Sequence, residues 1–341
     1  MQMNRKKKLV SSLLVCTLIL AAAWAWLFSY PAPPVDPGWM LDPDGDSPPG
    51  AVTVRYSGTA TLLFSDGETS WMTDGWFTRP GPLQTMFGKI QPDMAAIDLG
   101  LAKNAVSRLA AVIPMHSHYD HAMDSPEVAR RTGAILYGSE ATANIARGWG
   151  LPEAQIRILH SGQPIVVGAF TITPLASRHF QFPDPEMVAT MLTDSEIPEP
   201  LVPPVSAFDY KLGEAWVLHV SHPKGSFLIV GSAGFMPGQL AGMDVDVVFL
   251  GVGGLGSQTA DYRAQYWSET VGRISPERII PIHWDSLTGP LDGPMTGEIR
   301  IAGFLSRGAD ETLAFLKARA AENAAVPFQT LPRFQEVILF P

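Results

Sequence analysis

The apolar positions of this chain fall into three regimes. Residues 9–28 form an unbroken run of twenty uncharged residues. In a helix, at about 1.5 Å per residue, such a run spans roughly the 30 Å of a bilayer core. Arg5, Lys6, Lys7 and Lys8 precede it, so residues 1–8 read as a cytoplasmic basic tail. Residues 9–28 then read as a transmembrane anchor, with the remainder on the periplasmic or extracellular side. A cleaved signal peptide competes with that reading, because Ala23-Trp24-Ala25 has a small-x-small pattern. Secretory apolar cores usually run about 7 to 15 residues, which favours the uncleaved anchor. Residues 29–50 are rich in proline and aspartate and predict a stiff, extended tether. Asp42, Asp44 and Asp46 lack the glycine and glutamate spacing of a calcium loop.

The third regime, residues 51–341, predicts a single domain of short strands and interspersed helices. Val52-Thr53-Val54-Arg55-Tyr56 alternates, Thr61-Leu62-Leu63-Phe64 leads into a turn, and Trp71-Met72-Thr73 follows, which predicts a β-meander. Further strands are expected at 109–113, 135–137, 245–250 and 279–282. Helices are expected from Ser139, over 262–274, and from Ser125 as N-cap followed by Pro126 and Glu127. Strands in runs with helices between them suggest sheets with helices outside. Residues 180–209 are proline-rich and acidic, with a short helix expected around 185–192. Their length and position after His179 suggest a lid.

Composition narrows the chemistry. The 24 basic residues include four at the N-terminus, which leaves 20 against 33 acidic residues elsewhere. Such a surface repels phosphate backbones, so nucleic acid is not expected as a partner. The single cysteine, Cys16, lies in the apolar run, which excludes an intrachain disulfide and a thiolate site in the domain. Any metal centre must use imidazole and carboxylate.

Only eight histidines are present, yet three crowd into Met115-His116-Ser117-His118-Tyr119-Asp120-His121. The segment joins a strand to a helix. Alternation puts His116 and His118 on one side, while Asp120 and His121 lie past the bend, so one loop can feed two adjacent metal positions. Zinc suits such ligands, with iron and manganese as alternatives. A metal-bound water acidified to a pKa of about 7 then serves as nucleophile.

His116-x-His118-x-Asp120-His121 resembles the signature of the metallo-β-lactamase superfamily. The wording His-Ser-His-Tyr-Asp-His and Ile282-His283-Trp284 is closest to the branch containing N-acylphosphatidylethanolamine phospholipase D and ascorbate-phosphate lactonase. The resemblance implies a four-layer αββα sandwich with two zinc ions. It assigns His116, His118 and His179 to the first metal, and Asp120, His121 and His283 to the second. Asp120 would also orient the water, Tyr119 would hydrogen-bond substrate, and Asp74 would hold a ligand imidazole. Ser232, in Gly231-Ser232-Ala233-Gly234, stands where the branch carries a metal-bridging aspartate. The second metal is therefore expected to be the weaker. The diiron branch has glutamate where His118 stands, which disfavours oxygen-reducing chemistry.

The implied activity is hydrolysis of an ester, lactone or phosphodiester bond in a small or lipid-like substrate. The alternative is a membrane-anchored metal-binding module without catalysis. Gly251-Val252-Gly253-Gly254-Leu255-Gly256 satisfies G-x-G-x-x-G, but no acidic residue ends the next strand, so an access loop is expected rather than a nucleotide site. His160, His219 and His222 read as structural. Trp76 and Trp284 read as pocket walls or core aromatics. No Gly-x-Ser-x-Gly elbow is present.

Overall fold

Alternating side chains and sharp turns make the first three strands antiparallel neighbours. β1 (Val52–Gly58), β2 (Thr61–Ser65) and β3 (Ser70–Thr73) pair in sequence, as the meander predicts. The chain is seen in a computed structural model that describes residues 2–43, 45, 47–180, 195–303 and 308–341. The helix expected around 185–192, and Asp44 and Asp46, lie outside the described residues.

Beyond β3 the sheet continues in parallel through β4 (Ala111–Ile113), β5 (Ile135–Gly138) and β6 (Ile156–Ile158). A second sheet contains β7 (Ile165–Val167), β8 (Phe170–Ser177), β9 (Ala215–His222), β10 (Gly225–Val230), β11 (Val247–Gly251) and β12 (Arg278–Ile282). Its order is β12-β11-β10-β9-β8-β7, with β10, β11 and β12 parallel. β13 (Glu336–Phe340) pairs with β1 at the edge of the first sheet. The parallel strands β4 and β11 are buried along their whole length, which explains their unbroken apolar sequences.

The sheets meet through Phe64, whose ring stacks on Trp71 at 4.7 Å and on Phe227 of the opposite sheet at 4.6 Å. Burying a phenylalanine contributes about 1.5–3 kcal/mol. Leu63 and Met72 point to the other face of the first sheet. There they join Ile97, Leu101, Val128 and Ala146, which belong to α3 (Met94–Lys103), α5 (Ser125–Thr132) and α6 (Glu140–Trp149). On the second sheet, Tyr266, Trp267, Val271 and Leu316 enter the main core. They come from α7 (Ala260–Glu269), α8 (Val271–Ile274) and α10 (Ala309–Glu322). The helices thus flank two facing sheets. Among the described residues the remaining α-helices are α1 (Gln2–Leu27), the short α2 (Pro82–Phe87), α4 (Tyr119–Ala122) and α9 (Arg300–Gly303).

Two local expectations change. The helix expected over 262–274 breaks at Thr270, whose hydroxyl donates to the Tyr266 carbonyl at 2.5 Å. Such a bond back to the preceding turn competes with helix continuation. The cap of α5 is Asp124 rather than Ser125, whose hydroxyl instead donates to the Asp74 carbonyl at 2.5 Å and the His121 carbonyl at 3.0 Å.

α1 is long and apolar enough to cross a membrane, and none of its 7–27 window is buried. The proline-rich segment that follows lies against the domain. Val35 is 4% exposed within the core, Trp39 meets Phe328 at 5.1 Å, and Leu41 N–H donates to Thr330 O at 2.9 Å. Asp36 also pairs with Lys317 at 2.9 Å.

Candidate metal centre

The chemistry-bearing residues gather at one end of the strands. Asp74 follows β3, His116 follows β4, His179 follows β8, Ser232 follows β10 and His283 follows β12. β3 and β4 are parallel, as are β10, β11 and β12. The carboxyl ends of several strands therefore open on one side, where ligands generally bind in such sheets.

Two clusters form there: His116, His118 and His179, and beside them Asp120, His121 and His283. His116 Nε2 lies 3.0 Å from His118 Nδ1. In the second cluster His121 Nε2 lies 3.2 Å from His283 Nε2, and Asp120 Oδ2 lies 3.4 and 3.3 Å from those two nitrogens. Ligands about 2.0–2.1 Å from a tetrahedral metal stand roughly 3.3–3.4 Å apart. The donor atoms therefore fit a divalent ion, and imidazole with carboxylate is a suitable set. The rings of His116 and His121 are 3.9 Å apart, so the clusters are contiguous.

Electrostatics separate the clusters. Burial, reinforced by the neighbouring imidazoles, holds His116 and His179 well below the usual histidine range. Burial also pushes His121 down, but Asp74 and Asp120 outweigh it and raise the imidazole. Burial likewise opposes ionisation of Asp120, but His121 and His283 overcome it and hold the carboxyl far below its ordinary value.

The ligands are held from behind. Asp74 Oδ2 faces His121 Nδ1 at 2.8 Å, and its Oδ1 accepts from Met115 N–H at 2.8 Å. The carboxylate thus orients one ligand ring and fixes the start of the histidine loop. His179 Nδ1 lies 2.9 Å from Phe180 O. Ser117 points away from both clusters, with its hydroxyl 2.9 Å from that of Thr142. Ser232 lies in neither cluster, and its hydroxyl accepts from Phe180 N–H at 3.4 Å.

Three non-glycine residues here adopt left-handed backbone: Asp74 (φ 54°), His283 (φ 59°) and Thr59 (φ 55°). Such conformations cost about 1–3 kcal/mol each and persist where the surroundings over-determine them. For His283 those surroundings are explicit. Its N–H donates to Thr59 O at 2.6 Å, while Asp285 accepts from Thr59 N–H at 2.6 Å and Tyr56 O–H at 3.0 Å. Tyr56, Thr59 and Asp285 have no expected role in the sequence reading. Only the spacing of Asp285, two residues after His283, offered a signal.

Tyr119, Asp120, His179, Phe180, His283 and Trp284 line a pocket of about 260 Å³. Trp76 lies behind it, with its ring edge-on to Tyr119 at 6.0 Å. The glycine-rich segment 251–256 lines the pocket beside His283, with Val252, Gly253 and Gly254 on its surface. A Cβ at Gly253 would come within 2.5 Å of His283 Nδ1, so glycine there permits close approach to the ligand. His160 and His219 lie in neither cluster, and His222 lies 3.5 Å from Asp66.

A family model described as a β-lactamase superfamily domain matches residues 85–197, which include the histidine motif. A protein from Pyrobaculum islandicum named as a metal-dependent hydrolase is 26% identical over 116 residues. That match covers 34% of this chain and 44% of the relative, so the chain spans less than half of its length. A possible metal-dependent hydrolase from Veillonella parvula has a similar solved structure. Its TM-score is 0.51 at 14% identity, over 85% of this chain and 99% of that one. CmlA, a diiron β-hydroxylase from Streptomyces venezuelae, superposes with a TM-score of 0.50 at 11% identity, over 87% and 55% of the two chains. Residues 85–197, with the histidine motif, thus resemble a β-lactamase superfamily domain, and the two facing sheets are the fold shared with these solved structures.

Proposed function

We propose that this chain is a metal-dependent hydrolase holding two zinc ions, acting on an ester, lactone or phosphodiester bond of a small or lipid-like molecule. The observation that carries the proposal is the pair of contiguous three-ligand clusters, from which His118, His179, Asp120 and His283 line one pocket. The hydrolase names of similar proteins support it. The wording of the motif favours the branch that contains phospholipase D-type and lactonase enzymes.

When bound, metals of this kind supply Lewis acidity and an acidified water. His116, His118 and His179 would hold one ion, and Asp120, His121 and His283 the other. Asp120, facing both second-cluster imidazoles, is placed to accept and orient a proton of the attacking water. Burial, with Asp120 close by, raises the Tyr119 phenol well above its ordinary value. Tyr119 therefore stays protonated and can donate to a substrate oxygen. Phe180, Trp284 and Leu287 line the approach and exclude water.

We further propose that α1 anchors the enzyme in a membrane with the domain on the outer face. The length and composition of α1 and the basic N-terminal residues support this. A second reading, a metal-binding module without catalysis, draws on Ser232 at the position of the bridging acid. Metal analysis combined with hydrolysis assays decides between them. About two zinc ions per chain, with turnover lost in Asp120→Ala, supports the hydrolase. Bound metal with no turnover of lactones, esters or phosphodiesters supports the module.

A further inference from the structure

The segment between α1 and the domain reaches the mouth of the pocket. Pro34 lines the pocket together with Leu287, Asp285 and Glu298. Those three belong to the stretch that follows His283 and ends at α9, and the preceding segment is fastened to that same stretch. Ser29 O accepts from Arg300 N–H at 3.2 Å, and Ser29 Oγ from Arg300 Nε at 3.1 Å. Tyr30 O–H donates to Thr288 O at 2.7 Å, and Pro31 O accepts from Gly297 N–H at 2.9 Å. The Arg300 guanidinium also sits 5.1 Å over the Trp26 ring at the end of α1.

Glu298 closes the stretch from inside. Its carboxylate accepts from Leu287 N–H at 2.7 Å and from Ser286 and Thr288 hydroxyls at 3.1 Å. The pocket wall on this side therefore has two layers, an inner loop tied by Glu298 and an outer strap tied to that loop. Val35, buried next to Pro34, pins the strap to the core.

From this geometry we infer that residues 29–35 are a built-in wall of the pocket and that Pro34 determines how long a substrate chain the site accepts. The inference rests on the hydrolase reading for its chemistry, but its test reads binding as well as turnover. A proline ring fixes the local backbone and presents a small apolar face, so enlarging it shortens the space available to an extended ligand. Ala32, exposed on the same strap and outside the pocket lining, serves as the control position.

The experiment uses the full chain in detergent, loaded with zinc, as wild type, Pro34→Trp and Ala32→Trp. Affinities for acetohydroxamate and octanohydroxamate are measured by calorimetry, alongside kcat/KM for p-nitrophenyl acetate and octanoate. Pro34→Trp is expected to lower the preference for the eight-carbon ligand by about tenfold, a shift typical of crowding an apolar subsite. Ala32→Trp should leave the preference unchanged. A preference unaltered by Pro34→Trp overturns the wall, as does a wild type that binds neither hydroxamate. If the hydroxamate preference shifts while no ester is hydrolysed, the wall stands and the hydrolase reading falls.

Discussion

His116, His118 and His179 bring three imidazoles together without an anion, whereas the second cluster combines the imidazoles of His121 and His283 with Asp120 and, behind His121, Asp74. In the first cluster burial keeps His116 and His179 neutral, already in the state that binds metal. In the second cluster the carboxylates favour a protonated His121. A metal entering there competes with protonation more than one entering the first cluster. Two adjacent sites fed in part by one loop therefore differ in their readiness for an ion.

The sharpest way to break this comparison is to remove its anion. Asp120→Ala should lower turnover by about 10²–10⁴-fold, in the range lost with a positioned proton-transfer group. Metal analysis should show content falling from two ions toward one. Retention of both ions would show that the second cluster does not depend on its carboxylate. Next in size, Asp74→Ala should weaken the second metal by roughly 10–100-fold, the usual cost of losing the partner of a ligand histidine. The first metal should be little affected, and competition with a chelator would read each site.

A pH titration sharpens the contrast further. His116 and His179 lie below 6.5 when folded, so in the metal-free protein their share of stability is complete above 6.5 and is lost as pH falls beneath it. His121 is raised, so its share is present below 6.5 and is lost as pH rises through its folded value. On acidification of the loaded protein, the second cluster should release its metal first. Simultaneous release would contradict the assignment. A smaller effect is expected for Gly253→Ala. Its Cβ would crowd His283 and should cost about 1–3 kcal/mol in thermal unfolding, as overpacking does. Last, Ser232→Asp should tighten the second metal by about tenfold, at the scale of one supporting contact. No change would mean that Phe180 N–H holds the new side chain away.

The meander, the histidine loop and the parallel strands were readable because each is written in local pattern: alternation, turn residues, or five chemically similar residues in a short span. The network behind His283 was not. Tyr56 and Asp285 are 229 positions apart, and no periodicity links residues that meet only after both sheets have closed. The docking of the segment after α1 was hidden differently. Its prolines suggest a solvated spacer, while Tyr30, Val35, Trp39 and Leu41, too irregularly spaced for helix or strand, are the positions that attach it. The break at Thr270 turned on one hydroxyl, which competes with its own backbone wherever the fold leaves it no better partner.

Pro34 at the pocket mouth lies seven chain steps beyond Leu27, where α1 ends. Even fully extended, they cover no more than about 25 Å. With α1 in a bilayer, the pocket is leashed to the surface within that radius. A molecule dissolved in the membrane would meet it at a local concentration set by the leash, largely independent of how little of it dissolves in the surrounding water.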